Sequence, residues 1–160
     1  MTDPQQEGAE PATQTEVEHQ FDDLEVDAPH VGIVMGSKSD MPVMEKAGKE
    51  LEERGIRYEI RVMSAHRDPD VVADYSKNAR MRGLRAIIAG AGLAAALPGT
   101  VAAHTDLPVI GVPLTSRTSV AGGLDAMLAI AQMPPGVPVA CVGVDNARNA
   151  AVLAARILEA

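Results

Sequence analysis

Four consecutive residues, Ser64-Ala65-His66-Arg67, put a hydroxyl, an imidazole and a guanidinium directly after the apolar run IRYEIRVM. An imidazole can move a proton near neutral pH. A guanidinium can grip a phosphate through two charge-assisted bonds. The earlier segment Met35-Gly36-Ser37-Lys38-Ser39-Asp40 follows the apolar run HVGIV and offers small residues, hydroxyls and a carboxylate. The free amides expected at a helix start, with the Ser37 hydroxyl, can hold a phosphate, and Ser39 or Asp40 can cap that helix. A third segment, Ala89-Gly90-Ala91-Gly92-Leu93-Ala94-Ala95-Ala96-Leu97-Pro98-Gly99, is almost free of bulk. Its Gly-x-Gly-x-x-Ala spacing lacks the acidic residue that a dinucleotide site needs downstream, so its small residues read instead as a place where a flat ring can approach the backbone.

These segments need elements that bring them together. HVGIVMG (30–36), IRYEIRVM (56–63), LRAIIAG (84–90), LPVIGVP (107–113) and VPVACVG (137–143) read as strands. MPVMEKAGKELEERG (41–55) has apolar residues at helical spacing and a glycine at its end. Asp68-Pro69 suits the opening of a second helix that closes near Gly83. Further helical stretches lie near 94–105, 124–132 and 146–159. Five βα units with continuously apolar strands predict an α/β fold, a flavodoxin-like three-layer sandwich around a five-stranded parallel sheet. Ligands of such sheets bind beyond the carboxyl ends of the strands, where the three segments above must emerge.

The chain has 160 residues, 46% of them hydrophobic and only 2% aromatic, so the core is aliphatic. Residues 1–29 carry nine acids and no Lys or Arg, which predicts a disordered acidic tail. Residues 30–160 are nearly charge-balanced and form the single catalytic domain. No basic stripe suits nucleic acid, and no apolar run reaches the length of a membrane span. The single cysteine, Cys141, lies in an apolar run and reads as an inert thiol in a reducing cytoplasm. Among the other histidines, His19 falls in the tail, His30 begins a strand and His104 sits near a helix end.

The combination of MGSKSD, SAHR and AGAG…LPG resembles the PurE family of purine biosynthesis, with GVP (111–113), QMPPGVPV (132–139) and NAAVLAARIL (149–158) extending the likeness. The resemblance implies a mutase that converts 5-(carboxyamino)imidazole ribonucleotide to 4-carboxy-5-aminoimidazole ribonucleotide, with no metal and no cofactor. Arg67 resembles the bacterial mutase class; the carboxylase class typically has Lys there. By the same resemblance, Ser37 and Asp40 would bind the ribose phosphate end, and Ser64 and Arg67 would complete the phosphate site, with Ala65 in the same substrate-binding loop. His66 would be the general acid/base. Gly90, Ala91, Gly92 and Leu97 would line the imidazole and carbon dioxide pocket. The family is typically a homo-octamer. This chain departs from it at Leu93 and Ala96, where relatives commonly carry Gly and His. His66 is then left to do the proton work alone, beside a more apolar wall. Two other readings stay open: a carbon dioxide-dependent carboxylase of the same substrate, and a non-catalytic module that binds a phosphate ligand.

Overall fold

The computed structural model describes residues 28–160; the acidic tail lies outside them up to residue 27. Five strands, β1 (Val31–Met35), β2 (Tyr58–Val62), β3 (Ala86–Gly92), β4 (Val109–Leu114) and β5 (Ala140–Cys141), form one all-parallel sheet in the order β2-β1-β3-β4-β5. The helices between and after them are α1 (Met41–Glu53), α2 (Pro69–Asn78), α3 (Ala96–Ala102), α4 (Leu124–Ala131) and α5 (Ala147–Glu159). The three-layer sandwich expected from the sequence is therefore present. β5 is only two residues long, shorter than its seven-residue apolar run implied: residues 137–139 precede the ladder, and beyond Cys141 the Val142 amide makes one more bond to the Gly111 carbonyl at 3.1 Å before the chain turns into a loop.

Strand pleating divides the core. Val31, Ile33 and Met35 of β1 point toward α1 and α5, packing with Met44, Leu51, Ile88, Ile110 and the alanines of α5. Val34, Ile87, Ala89 and Val109 point to the other face, against Val72, Tyr75, Leu97, Val101 and Ile130 of α2, α3 and α4. This period-two alternation buries both faces of the sheet. The five buried alanines of α5 let it lie close to α1. Glu50, buried on α1, clamps the pair by accepting from Arg148 at 2.6 Å and from Arg54 at 2.8 Å.

Gly55 ends α1 as its position predicts. It sits at φ +68°, its amide reaches the Glu52 carbonyl at 2.9 Å, and the Ile56 amide reaches Leu51 at 2.9 Å. These two bonds make a Schellman ending, which a side chain with Cβ would strain. α2 starts at Pro69 but stops at Asn78, with turns carrying the chain on to Gly83. No helix among the described residues is long and apolar enough to cross a membrane.

β2 is an edge strand, and one carboxylate secures it. Glu59 accepts from both Arg82 (2.6 Å) and the Tyr75 hydroxyl (2.9 Å), with Arg61 at 3.2 Å. Burial alone would raise the Glu59 carboxyl, but the Arg82 and Tyr75 bonds outweigh it and hold it below the usual range. Burial, together with the Glu59 charge, pushes the Tyr75 hydroxyl well above its ordinary value. Glu59→Gln should therefore lower stability at neutral pH by about 1–2 kcal/mol, the low end for bonds to a charge because one side of the cluster faces solvent. The depressed carboxyl contributes stability above its unfolded pKa, and that contribution is lost as pH falls through the folded value. Chemical denaturation of both proteins should show the gap closing at acid pH; a gap independent of pH contradicts the ion-pair account.

Candidate active site

The register sets the geometry before any side chain does. Met35 lies level with Val62 on one side and Gly90 on the other, and Gly92 lies level with Leu114. The first residues beyond β1, β2, β3 and β4 therefore emerge abreast at one edge of the sheet. They enclose a cavity of about 400 Å³ lined by Gly36, Ser37, Ser39, Asp40, Ser64–Arg67, Ala91–Leu97, Thr115 and Ser116. Larger hollows, such as one of about 600 Å³ beside Pro29 and Tyr58, lack such a convergence of imidazole, guanidinium and hydroxyls.

The first loop adds a turn before the expected helix start. Residues 38–40 form a 3₁₀ turn capped by Ser37, and Asp40 then holds the N-cap position of α1, as expected, without a side-chain cap bond. The Ser37 hydroxyl accepts from the Ser39 amide at 3.3 Å and from the Ser39 hydroxyl at 2.9 Å. The Asp40 amide reaches the Ser37 carbonyl at 3.1 Å. Two of the amides expected to hold an anion are thus engaged within the turn. The Ser37 hydroxyl, an acceptor in both of its bonds, keeps its own proton to donate. Burial raises the Asp40 carboxyl above its ordinary value and the Asp145 charge adds to that; the Ser37 backbone and Arg67 pull the other way without cancelling it.

The second loop is a tight turn. Buried Ser64 accepts from the Arg67 amide at 3.2 Å through its hydroxyl and from the Asp68 amide at 2.8 Å through its carbonyl. This turns His66 and Arg67 outward, and both are exposed. Arg67 reaches across to donate to the Gly36 carbonyl at 2.7 Å, joining the first two loops. Among the described residues, no ion pair joins Arg67 to Asp68 or Asp70. The remaining N–H groups of its guanidinium are available to an anion.

The third loop is strained. Leu93 has φ +55° and Ala95 φ +39°, both in the left-handed region that disfavours a Cβ. Ala91, Gly92 and Leu97 line the cavity; Gly90 does not. It lies inside β3, where a Cβ would come 2.4 Å from the Met44 sulfur, so its smallness serves the core. Sequence reading missed Thr115 and Ser116. Their signal was available, since the hydroxyl-rich TSRTS run follows a strand that must end at the same edge. The remaining candidates are structural. Burial raises the half-buried Cys141 thiol, and the His104 ring contacts the Thr100 carbonyl at 2.8 Å.

A parallel α/β sheet of order 2-1-3-4-5, with polar loops converging on one cavity at its carboxyl edge, defines a small-ligand enzyme of flavodoxin-like architecture. The chain belongs to the AIR carboxylase family, whose model matches residues 30–160. It is 60% identical over 130 residues to N5-carboxyaminoimidazole ribonucleotide mutase of Thermotoga maritima, covering 81% of this chain and 75% of that protein. It is 56% identical over 135 residues to the protein of the same name from Pyrococcus horikoshii, covering 84% and 75%. The crystal structure of Treponema denticola PurE superposes with a TM-score of 0.72 at 37% identity, covering 82% of this chain and 80% of that one.

Leu93 lies in the strained loop, and Ala96 opens α3 directly after it. Leu93 is 48% exposed, so its bulk fills little of the interior; its cost lies in the backbone. A left-handed L-residue costs about 1–2 kcal/mol, which glycine would relieve at an entropic cost of about 0.5–1 kcal/mol. Leu93→Gly should raise the melting temperature slightly or leave it unchanged. Ala96→His alone should destabilise by about 1–3 kcal/mol through overpacking at a half-buried helix start. In the double variant the relaxed loop should recover at least about 0.5 kcal/mol of that loss. Denaturation of both single variants and the double decides it, and strict additivity contradicts the coupling.

Proposed function

We propose that this protein converts 5-(carboxyamino)imidazole ribonucleotide to 4-carboxy-5-aminoimidazole ribonucleotide in purine biosynthesis, in the cytoplasm. The observation that carries this reading is the meeting of His66, Arg67, Ser37 and Asp40 at one cavity in a chain so similar to proteins bearing the mutase name. Ser37 and Arg67 hold the phosphate, with Ser64 shaping the turn from which Arg67 projects. Asp40 takes the ribose hydroxyls. Ala65, Ala91, Gly92 and Leu97 let the flat imidazole lie near the backbone. Gly90 acts from behind, by making room for Met44.

The chemistry needs one mobile proton. Protonating the carbamate nitrogen breaks its bond to the carboxyl carbon and releases carbon dioxide beside the ring, leaving the amine. The electron-rich ring carbon attacks that carbon dioxide, forming the new carbon–carbon bond. His66 then removes the proton from the same ring carbon and aromaticity returns. Atoms and charge balance without an external reactant. The walls of the cavity keep carbon dioxide at high effective concentration, so recapture competes with escape.

The functional unit in this reading is a homo-octamer. Val120, Leu124 and Leu128 are 65%, 46% and 51% exposed at the start of α4, an apolar patch that a second copy would cover. Sedimentation at equilibrium should give the mass of eight chains; a monomer at micromolar concentration contradicts this.

Turnover of the carbamate substrate should proceed without ATP or added bicarbonate. His66→Asn should cut kcat by roughly 10²–10⁴-fold while substrate still binds. Arg67→Ala should weaken substrate and product alike by about 1.5–3 kcal/mol, the worth of a charge-assisted bond. Dependence on bicarbonate identifies a carboxylase, and binding without turnover identifies a non-catalytic module. Near-full activity in His66→Asn would assign the proton to another group.

A further inference from the structure

The fourth wall of the cavity is built by a residue that does not line it. Asp145 follows β5, where the ladder with β4 has ended. Its amide donates to the Pro113 carbonyl at 2.8 Å, tying the loop back to β4. Its carboxylate then accepts twice from Thr115, from the backbone amide at 2.9 Å and from the hydroxyl. The Thr115 methyl lies beside Gly123, where an added Cβ would come 3.0 Å from it. Asp145 adopts φ +55°, a conformation that Asp and Asn tolerate better than other L-residues. Thr115 and Ser116 are exposed and line the cavity; Ser116 is held within its own loop, its amide donating to the Ser119 hydroxyl at 2.8 Å, whereas Thr115 is held by Asp145.

We propose that Asp145 is a positioning residue for the reaction: it holds Thr115 in place as the fourth wall of the substrate cavity. This rests on the mutase reading. Asp145 does not touch substrate; it acts through Thr115 and through the field at Asp40. The charged groups felt by the Asp40 carboxyl are Arg67, from the loop after β2, and Asp145, from the loop after β5. Arg67 favours ionisation and Asp145 opposes it. Removing the Asp145 charge must therefore move the Asp40 titration to lower pH.

Four variants separate positioning from mere stability: Asp145→Ala, Asp145→Asn, Thr115→Val and the pair Asp145→Ala with Thr115→Val. Asp145→Ala and Thr115→Val should each raise KM about tenfold while kcat changes less than about threefold, a loss of binding and not of chemistry. The pair should be no worse than Asp145→Ala alone, because removing the carboxylate already takes away the one bond that Thr115→Val removes. Asp145→Asn keeps an acceptor oxygen for the Thr115 amide, its Nδ2 can donate to the Thr115 hydroxyl oxygen, and Asn tolerates the same backbone conformation, so KM should return to within about threefold of the parent. In that variant the acid limb of kcat/KM and the Asp40 carboxyl signal in carbon-13 NMR should both move to lower pH. Thr115→Val is nearly isosteric and keeps the test open if Asp145→Ala does not fold. An unchanged KM in Thr115→Val, additive losses in the pair, or an unmoved Asp40 titration in Asp145→Asn overturns the proposal. Should the parent lack mutase turnover, the mutase reading fails by itself. The Kd for 5-aminoimidazole ribonucleotide, measured by calorimetry, then replaces KM in the same comparison, and the Asp40 titration stands unaltered.

Discussion

Parallel pairing is the constraint on which everything else here depends. When every strand runs the same way, every strand ends at the same edge, and each connection must cross a full helix to return. Four loops therefore reach one edge however their sequences read. The register makes this tighter still, because β1 and β2 end level at Met35 and Val62, with Gly90 beside Met35, and β3 and β4 end level two residues further on at Gly92 and Leu114. The cavity is a consequence of that alignment. Arg67 then fixes the first two loops to each other through the Gly36 carbonyl, converting neighbours into a cradle. The order 2-1-3-4-5 places β1 and β3 side by side at the point where the connections diverge, so the opening lies between the Ser37 and Gly92 loops.

The sequence made the strands legible because each is a short apolar run with small residues at its end. β5 was overestimated for the same reason: VPVACVG is apolar throughout, but residues 137–139 precede the ladder and Gly143 turns into the Asp145 loop. Asp40 stands at the N-cap of α1, as its position suggests, but the 3₁₀ turn before it was not legible because Ser37, Ser39 and Asp40 are chemically equivalent as caps. Only the extended backbone at Ser37, at φ −148° and ψ 150°, selects between them. Gly90 looked like a site residue for being small beside other small residues. Its neighbour across the sheet, Met44, could not be known from the chain alone. Thr115 and Asp145 stand thirty residues apart in the chain, and their pairing needed three-dimensional register.

Electrostatics in the cavity follow from the same assembly. Asp40 is half-buried; burial raises its carboxyl, the Asp145 charge adds to that and Arg67 opposes it. Ser64 is buried and engaged, which is why it shapes its loop and leaves Arg67 and His66 to face outward. The third loop contributes no ionisable group. Its strained Leu93 and Ala95 keep the backbone in a turn that brings Ala91, Gly92 and Leu97 to the wall. A cavity with one imidazole, one guanidinium, one carboxylate, several hydroxyls and a small apolar wall from the third loop suits a reaction that moves one proton and one neutral molecule of carbon dioxide.

The central claim is that the carboxyl carbon leaves one atom of the substrate and returns to another without leaving the cavity. Carbamate substrate labelled with carbon-13 at its carboxyl group, turned over in excess unlabelled bicarbonate, tests this most directly. The account predicts that the label is retained in the 4-carboxylate of the product. A product carboxylate that instead takes its carbon from the unlabelled bicarbonate pool would contradict it.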